Sequence, residues 1–310
     1  MTKLIEDNLA KIPIVNILVR FGKKIKIPGW QGMSLYDVLE MYIIGIVKGA
    51  LTTRASGISF SFFMAIFPFM LFVLTLIPYI PIDGFQPELM ALIAEILPPK
   101  TFDAVKSVLD DIVNNQYGSL LSFGFLLSIF LMTNGVNAIF GGFEYSYHIK
   151  EVRNVIKSYF ISLAVSLVMA VFLVVTVALT IFFGIALDKL KAQGWLENDI
   201  FWLQFGRGTL FVVMVFTTVS MLFHYGTKQK LTTFFSAGTI FTTILSILTF
   251  YLFSFYVTEF SKYNELYGSI GTLLILMLFI WLNSIILLLG FELNASINQL
   301  KRKKNRLKRV

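Results

Sequence analysis

The sequence predicts an all-α, polytopic transmembrane helical bundle of about six spans, and three observations predict it. About six apolar runs are each long enough to cross a bilayer. A spanning helix needs roughly 20 mainly apolar residues, because the hydrocarbon core is about 30 Å thick and holds no water to satisfy free backbone groups. With 56% hydrophobic and only 14% charged residues and a mean hydropathy of +0.77, a water-soluble chain of 310 residues would have too little polar surface. The polar connections, finally, alternate between basic and nearly neutral or acidic along the chain. Because the chain has no cysteine, disulfides, thiolate metal sites and cysteine nucleophiles are excluded.

Residues 1–56 read as a cytoplasmic N-terminal segment carrying one amphipathic helix. Ser34-Leu35-Tyr36-Asp37 has the form of a capping box, and Leu35, Val38, Leu39, Tyr42, Ile43, Ile46 and Val47 recur at helical spacing. Such a helix lies along the membrane interface. The first apolar run begins near Gly57, too far from the N-terminus for a cleavable signal, so the first span is expected to act as an uncleaved insertion signal.

The transmembrane domain is expected over 57–294, with spans at about 57–81, 119–142, 158–187, 207–225, 234–258 and 268–294. The third run, Ser158 to Leu187, has thirty uncharged residues and so either tilts or extends beyond the hydrocarbon. The fourth carries Arg207 at its start and His224 near its end, yet Thr209 to Phe223 is too apolar to leave in water. Between the first two spans, Ile82 to Gly118 has six acids against two lysines. Its two apolar-periodic stretches, Pro87 to Leu97 and Phe102 to Val113, are broken by Pro98-Pro99 and read as a small helical cap on the outer face, either a gate or a shield. Residues 295–310 form a basic cytoplasmic tail.

Lysine and arginine orient such a bundle, because positive flanks are retained in the cytoplasm. One side carries eight in the first 56 residues, three in the 141–158 connection, two in 226–233 and seven in the tail. The other side has six: Lys100, Lys106, Lys189, Lys191, Arg207 and Lys262. Six spans with both termini in the cytoplasm satisfy this distribution. The net charge of +8 is concentrated at the ends, above all in the tail. A basic tail after a last span acts as an anchor to anionic lipid headgroups. Nucleic acid is not expected as a partner, since the tail has no aromatic residues to serve as stacking platforms.

Two stretches carry a resemblance. They are Arg54-Ala-Ser-Gly-Ile-Ser-Phe-Ser-Phe-Phe-Met-Ala-Ile-Phe-Pro68 in the first span, and Tyr267-Gly-Ser-Ile-Gly-Thr followed by Trp281-Leu-Asn-Ser-Ile-Ile-Leu-Leu-Leu-Gly-Phe-Glu-Leu-Asn294 in the last. The chain resembles the YihY/virulence factor BrkB family of bacterial inner-membrane proteins, formerly labelled ribonuclease BN, from about Leu35 to Ile297. It departs from the family where a Tyr-x-x-Pro-Asn type turn is usual and His224-Tyr-Gly-Thr-Lys-Gln-Lys230 stands instead, so no role is carried over to that turn. The resemblance implies a multi-pass inner-membrane protein, and its members have been called serum-resistance factors, transporters and a tRNA-processing ribonuclease.

The ribonuclease label meets a chemical test. A metal-dependent ribonuclease needs clustered histidine and carboxylate ligands, typically His-x-His-x-Asp-His, to activate a bound water. This chain has only His148 and His224, expected on different connections, and no paired acid and base is visible. No catalytic residue, metal ligand or cofactor is therefore assigned, and the chain is not expected to be an enzyme.

Ionisable and amide groups near the bilayer are better clues, because burying them unpaired costs several kcal/mol. Arg54, Glu144 and Glu292 are all expected at the cytoplasmic level, and Asn134 and Asn137 sit one turn apart inside the second span. Together with Asn294 they form the candidate polar cluster or gate. The alternative is that each charge reaches the interface separately. Hydroxyls in the fifth span (Thr239, Thr242, Thr243, Ser246, Thr249, Ser254) and in the fourth (Thr217, Thr218, Ser220) either line a hydrated cavity or bond within the helix and across close contacts.

The expected function is transport, or translocation of a lipid or other amphiphile, with Arg54, Glu144 and Glu292 converging on a cavity. A non-transporting envelope scaffold with envelope protein partners is the alternative. The sequence has no Gly-x-x-x-x-Gly-Lys-Ser/Thr loop, so active transport would draw on a gradient or a partner ATPase.

Overall fold

The computed structural model describes residues 34–81, 83–96, 99–115, 118–192, 199–228, 233–259 and 269–307. Expectations for 1–33, the Tyr267-Gly268 part of the last motif, Lys262 and the end of the tail lie outside them. The described residues form an all-α bundle, with no strand among them.

Helix α1 (Leu35–Lys48) begins on the expected capping box: the Asp37 N–H donates to Ser34 Oγ at 3.2 Å, and the Ser34 N–H donates to Asp37 Oδ2 at 3.0 Å. It ends at Gly49, whose N–H donates to the Gly45 carbonyl at 2.9 Å. Ala50, at φ 46°, then takes the left-handed conformation, which crowds a Cβ against the backbone. The chain bends by 65° there into α2 (Leu51–Leu76). Val38 of α1 is buried while Leu39, Ile43 and Val47 form an exposed apolar row, a face suited to lipid.

After a 3₁₀ turn at Ile77–Tyr79, the two short helices α3 (Phe85–Ile96) and α4 (Pro99–Asn114) build the cap. Then come α5 (Gly118–Glu144), α6 (Val155–Ala192), α7 (Asp199–Tyr225), α8 (Ala237–Glu259) and α9 (Ser269–Leu307). Among the described residues five helices, α5 to α9, are long and apolar enough to cross a membrane, and the bent pair α1–α2 supplies a sixth span if counted as one. The first span thus differs from a straight run starting at Gly57: its helix starts at Leu51 and continues α1 through a sharp elbow.

The spans close a ring in which α2 packs on α5, α5 on α6, α6 on α7, α7 on α8, α8 on α9 and α9 back on α2, with α1 lying against α9. Burial by packing fixes the inward faces. Phe143 of α5 stacks on Phe291 of α9 with ring centroids 4.2 Å apart, and Phe223 of α7 meets both edge-on. Ile58, Phe140, Val219 and Leu288 surround that trio. The opposite faces stay apolar and exposed, as with Phe160, Val168, Val171, Val175, Leu179 and Phe182 along α6. Such a surface needs lipid rather than water around it.

Helix α6 has 38 residues and so runs about 57 Å, well beyond the hydrocarbon thickness. The excess is used at the cap, where Val177, Ile181 and Ile185 pack with Phe85, Leu89 and Val113. Arg207 of α7 fastens α3 from the other side, donating to Glu88 at 3.0 Å and to Glu95 at 2.9 Å. At the other end of the bundle, α9 continues without a break from the span into the basic tail as far as Leu307.

The hydroxyl stripe of α8 marks a close helix contact. Thr239, Thr242 and Thr243 are buried, and a Cβ built on Gly290 of α9 would strike Thr242 Oγ1, as one on Gly238 would strike the Gly290 carbonyl. Small residues here let two backbones touch, the arrangement that packs helices in lipid. Gly290→Leu is therefore expected to cost about 1–3 kcal/mol by overpacking. Gly141, with nothing within 4 Å of an added Cβ, should accept alanine freely. Thermal unfolding of both variants in detergent checks the contrast.

Candidate functional site

At the end of the ring where α2 begins and α5 ends, Arg54 and Glu292 form a buried ion pair. Arg54 Nη2 donates to Glu292 Oε1 at 2.8 Å, with side-chain exposures of 7% and 0%. Arg54 Nη1 donates to the Gly142 carbonyl at 2.8 Å, one of the end-of-helix carbonyls of α5. Ser146, just beyond α5, donates from Oγ to Glu292 Oε2 at 2.8 Å. Both oxygens of the carboxylate are thus satisfied. The pair ties α2, α5, the α5–α6 connection and α9 to one point.

The backbone of α1 closes over this pair. A Cβ on Gly45 would lie 2.8 Å from Glu292 Oε2 and 2.7 Å from His148 Nε2, and one on Gly49 would lie 2.7 Å from Arg54 Nη2. Only glycine at both positions, one helical turn apart, lets the elbow sit this close. His148 is buried beside the carboxylate, with Nε2 3.0 Å from the Met41 carbonyl. A carbonyl only accepts, so Nε2 carries the proton. Arg54 Nε and His148 Nδ1 remain buried without a hydrogen-bond partner.

Of the six candidate residues, the structure brings Arg54 and Glu292 into one ion pair and disposes the others elsewhere. Glu144, though buried, accepts from the Arg153 N–H at 3.2 Å and so braces the connection into α6. Asn137 accepts from Ser162 Oγ at 3.4 Å, a bond between α5 and α6, and Asn134 is half-buried one turn earlier. Asn294 serves the start of α8: its Oδ1 accepts from the Gly238 N–H at 2.8 Å, and its Nδ2 donates to Ser236 Oγ, also at 2.8 Å. The expected three-charge convergence of Arg54, Glu144 and Glu292 is therefore a two-charge pair with Glu144 on a separate network, because the Arg153 N–H satisfies it locally.

Sequence reasoning missed Ser146 and the burial of His148, while His224 lies in the last turn of α7, near the end of the fourth span. Gly45 and Gly49 at four-residue spacing were a legible sign of close packing. Arg153 was also missed. Its Nη2 donates to the Thr227 carbonyl, and its guanidinium stands over the Phe140 ring at 5.9 Å. Burial pulls its pKa below the ordinary arginine value while the Glu144 charge opposes the shift, and an arginine so placed stays cationic at neutral pH.

Beside this second network a groove of about 1400 Å³ opens between the start of α6 and the end of α7. Arg153, Lys157 and Lys228 stand on its wall, and apolar side chains such as Phe160, Val168 and Met221 line the rest. Among the described residues, no group of three or more His, Asp or Glu is placed to hold a metal ion.

Residues 45–309 match the virulence factor BrkB family. The chain belongs to that family. The match begins at the glycine that lies over the ion pair and includes Arg54, Ser146, His148 and Glu292. The chain is similar to a ribonuclease-like protein, YfkH, of Bacillus subtilis (strain 168), 32% identical over 258 residues covering 81% of this chain and 91% of the relative. A UPF0761 membrane protein of Coxiella burnetii (strain Dugway 5J108-111) is 26% identical over 248 residues, covering 76% of this chain and 84% of that one. Another UPF0761 membrane protein, from Kangiella koreensis (strain DSM 16069 / JCM 12317 / KCTC 12182 / SW-125), is 26% identical over 266 residues, covering 84% and 63%. No solved structure matches the chain. A BrkB-family integral membrane protein is thus established, and the all-α multi-span fold agrees with it.

The geometry sets what removal of the pair should do. Truncating one member leaves the other charge buried and alone, which costs about 3–5 kcal/mol. Arg54→Ala and Glu292→Ala are each expected to lose folded protein, and the double variant should lose far less than the sum of the two. Fluorescence-detected size exclusion over a heating series in detergent reads all three.

Proposed function

We propose that this BrkB-family protein translocates a lipid or other amphiphile in the bacterial inner membrane, with both termini in the cytoplasm. The observation that carries the proposal is the groove between α6 and α7, which has cationic side chains at one end and apolar ones below. An amphiphile needs such a two-part surface: polar contacts for its head, continuous with an apolar path for its tail. The Arg54–Glu292 pair would act as the fixed clasp against which the neighbouring helices move. Both oxygens of its carboxylate are already hydrogen-bonded, and the carboxylate is closed off from solvent.

We do not extend the ribonuclease-like name of the Bacillus relative to this chain. His148 is engaged with Met41 inside the bundle, and RNA cleavage needs an acid and a base exposed in one cleft. A second reading, a non-transporting envelope scaffold, draws support from the ring centre beside the ion pair, where Phe143, Phe223 and Phe291 leave a tightly packed core.

Reconstitution separates the two. Purified protein in vesicles should speed the loss of inner-leaflet protection of a head-labelled fluorescent lipid toward a membrane-impermeant quencher. Ala164→Trp, which places an indole in the groove, should slow that rate to near the level of empty vesicles. If wild-type and empty vesicles exchange at the same rate, translocation fails and the scaffold reading stands.

A further inference from the structure

The groove also indicates which amphiphile it takes. Three cations reach it, Arg153, Lys157 and Lys228, and no carboxylate lines it among the described residues. The cations are not spent equally. Lys228 Nζ lies 3.2 Å from Glu151 Oε2, in a pair that is 58% exposed on both sides. Solvent screens such a pair heavily, so an incoming anion can compete for the lysine. Arg153 lines the groove but gives Nη2 to the Thr227 carbonyl, and its Nη1 is buried, so it contributes a fixed positive charge more than a free donor. Lys157, in the first turn of α6, is exposed.

Below the cations the lining changes character along a single face of α6. Lys157, Phe160, Ile161, Ala164, Val165 and Val168 recur at helical spacing. From Lys157 to Val168 the helix rises about 16 Å, close to half of the roughly 30 Å hydrocarbon core. The face is therefore one leaflet deep, charged at the headgroup level and apolar beneath it. Phe160 and Val168 are also exposed at the bundle surface, which opens the groove sideways to lipid.

We propose that this groove is a binding site for an anionic phospholipid, with the headgroup phosphate held by Arg153, Lys157 and Lys228 and an acyl chain laid along the Phe160–Val168 face. The inference rests on the same groove as the translocation reading and names its substrate class. A fixed guanidinium and two mobile ammonium groups suit a phosphate, which offers several acceptor oxygens in different directions. The apolar depth distinguishes a lipid from a soluble phosphate, which would gain nothing from it. No tail residue lines this groove among the described residues.

Native mass spectrometry tests it on the full-length protein in mild detergent, titrated with phosphatidylglycerol and with phosphatidylcholine of the same acyl chains. Wild type should favour phosphatidylglycerol by about a hundredfold, given roughly 1 kcal/mol for each of the three basic residues near an anionic headgroup. Lys157→Glu combined with Lys228→Glu, both exposed and so compatible with folding, should abolish the preference. Lys301→Gln with Arg302→Gln in the tail should leave it intact. An unchanged preference in the groove variant, its loss in the tail variant, or displacement of the lipid by millimolar inorganic phosphate would overturn the proposal. Phosphatidylglycerol selectivity without any lipid exchange in vesicles would sink translocation but keep this site; rapid exchange with no selectivity would do the reverse.

Discussion

A carboxylate with no exposure to water, Glu292, fixes the end of the bundle from which the tail leaves. Ionised and unpaired, it would be too costly to bury, so everything around it must supply donors. Arg54 comes from α2, Ser146 from the connection after α5, and the guanidinium in turn donates to the Gly142 carbonyl in the last turn of α5. Three segments far apart in sequence are thereby held at one point. The glycines of α1 follow from the same requirement, since any side chain at Gly45 or Gly49 would collide with the pair or with His148. The 65° elbow at Ala50 is the geometric result of laying α1 over that pair while α2 enters the ring.

A membrane removes much of the hydrophobic drive between helices, because lipid tails are as apolar as leucine. The ring therefore relies on close backbone contact and on shape. Gly238, Thr242 and Gly290 bring α8 and α9 together, and the stacked and edge-on phenylalanines of α5, α7 and α9 fill the centre. At the far end the packing differs. The cap is held by apolar contacts to the projecting part of α6 and by Arg207, whose ion pairs with Glu88 and Glu95 are more open to solvent than the Arg54 pair.

The two polar networks at the tail-proximal end differ in what they can do. Around Glu292 both carboxylate oxygens are already satisfied, and the environment is closed. Around Arg153 the guanidinium is held by the Thr227 carbonyl and the Phe140 ring while Glu144 takes its backbone N–H, and the residue borders an open groove. A closed ion pair and an open cationic groove thus stand at the same end of the bundle, and the proposed amphiphile site uses only the second.

The sequence was sufficient for the helices. Long apolar runs, the Ser34–Asp37 capping box and the Pro98-Pro99 break report local physics, namely backbone hydrogen bonding and transfer into lipid, and the helices fall close to them. Family membership was legible in the same way, from the first-span and last-span motifs. Arg54 and Glu292 could be singled out because a charge within an apolar run needs an explanation. Their pairing could not be derived, since 238 residues separate them and only the closed ring brings α2 against α9. The sequence likewise offered Glu144 as a third member, but the Arg153 N–H takes its carboxylate, and that depends on how the α5–α6 connection folds back. By itself the sequence determined an all-α, multi-span BrkB-type protein, because span length and motif are written locally. Tertiary structure alone decided which charges meet, which glycines must be glycine and where a cationic groove opens, because each depends on distances between helices that no run of residues contains.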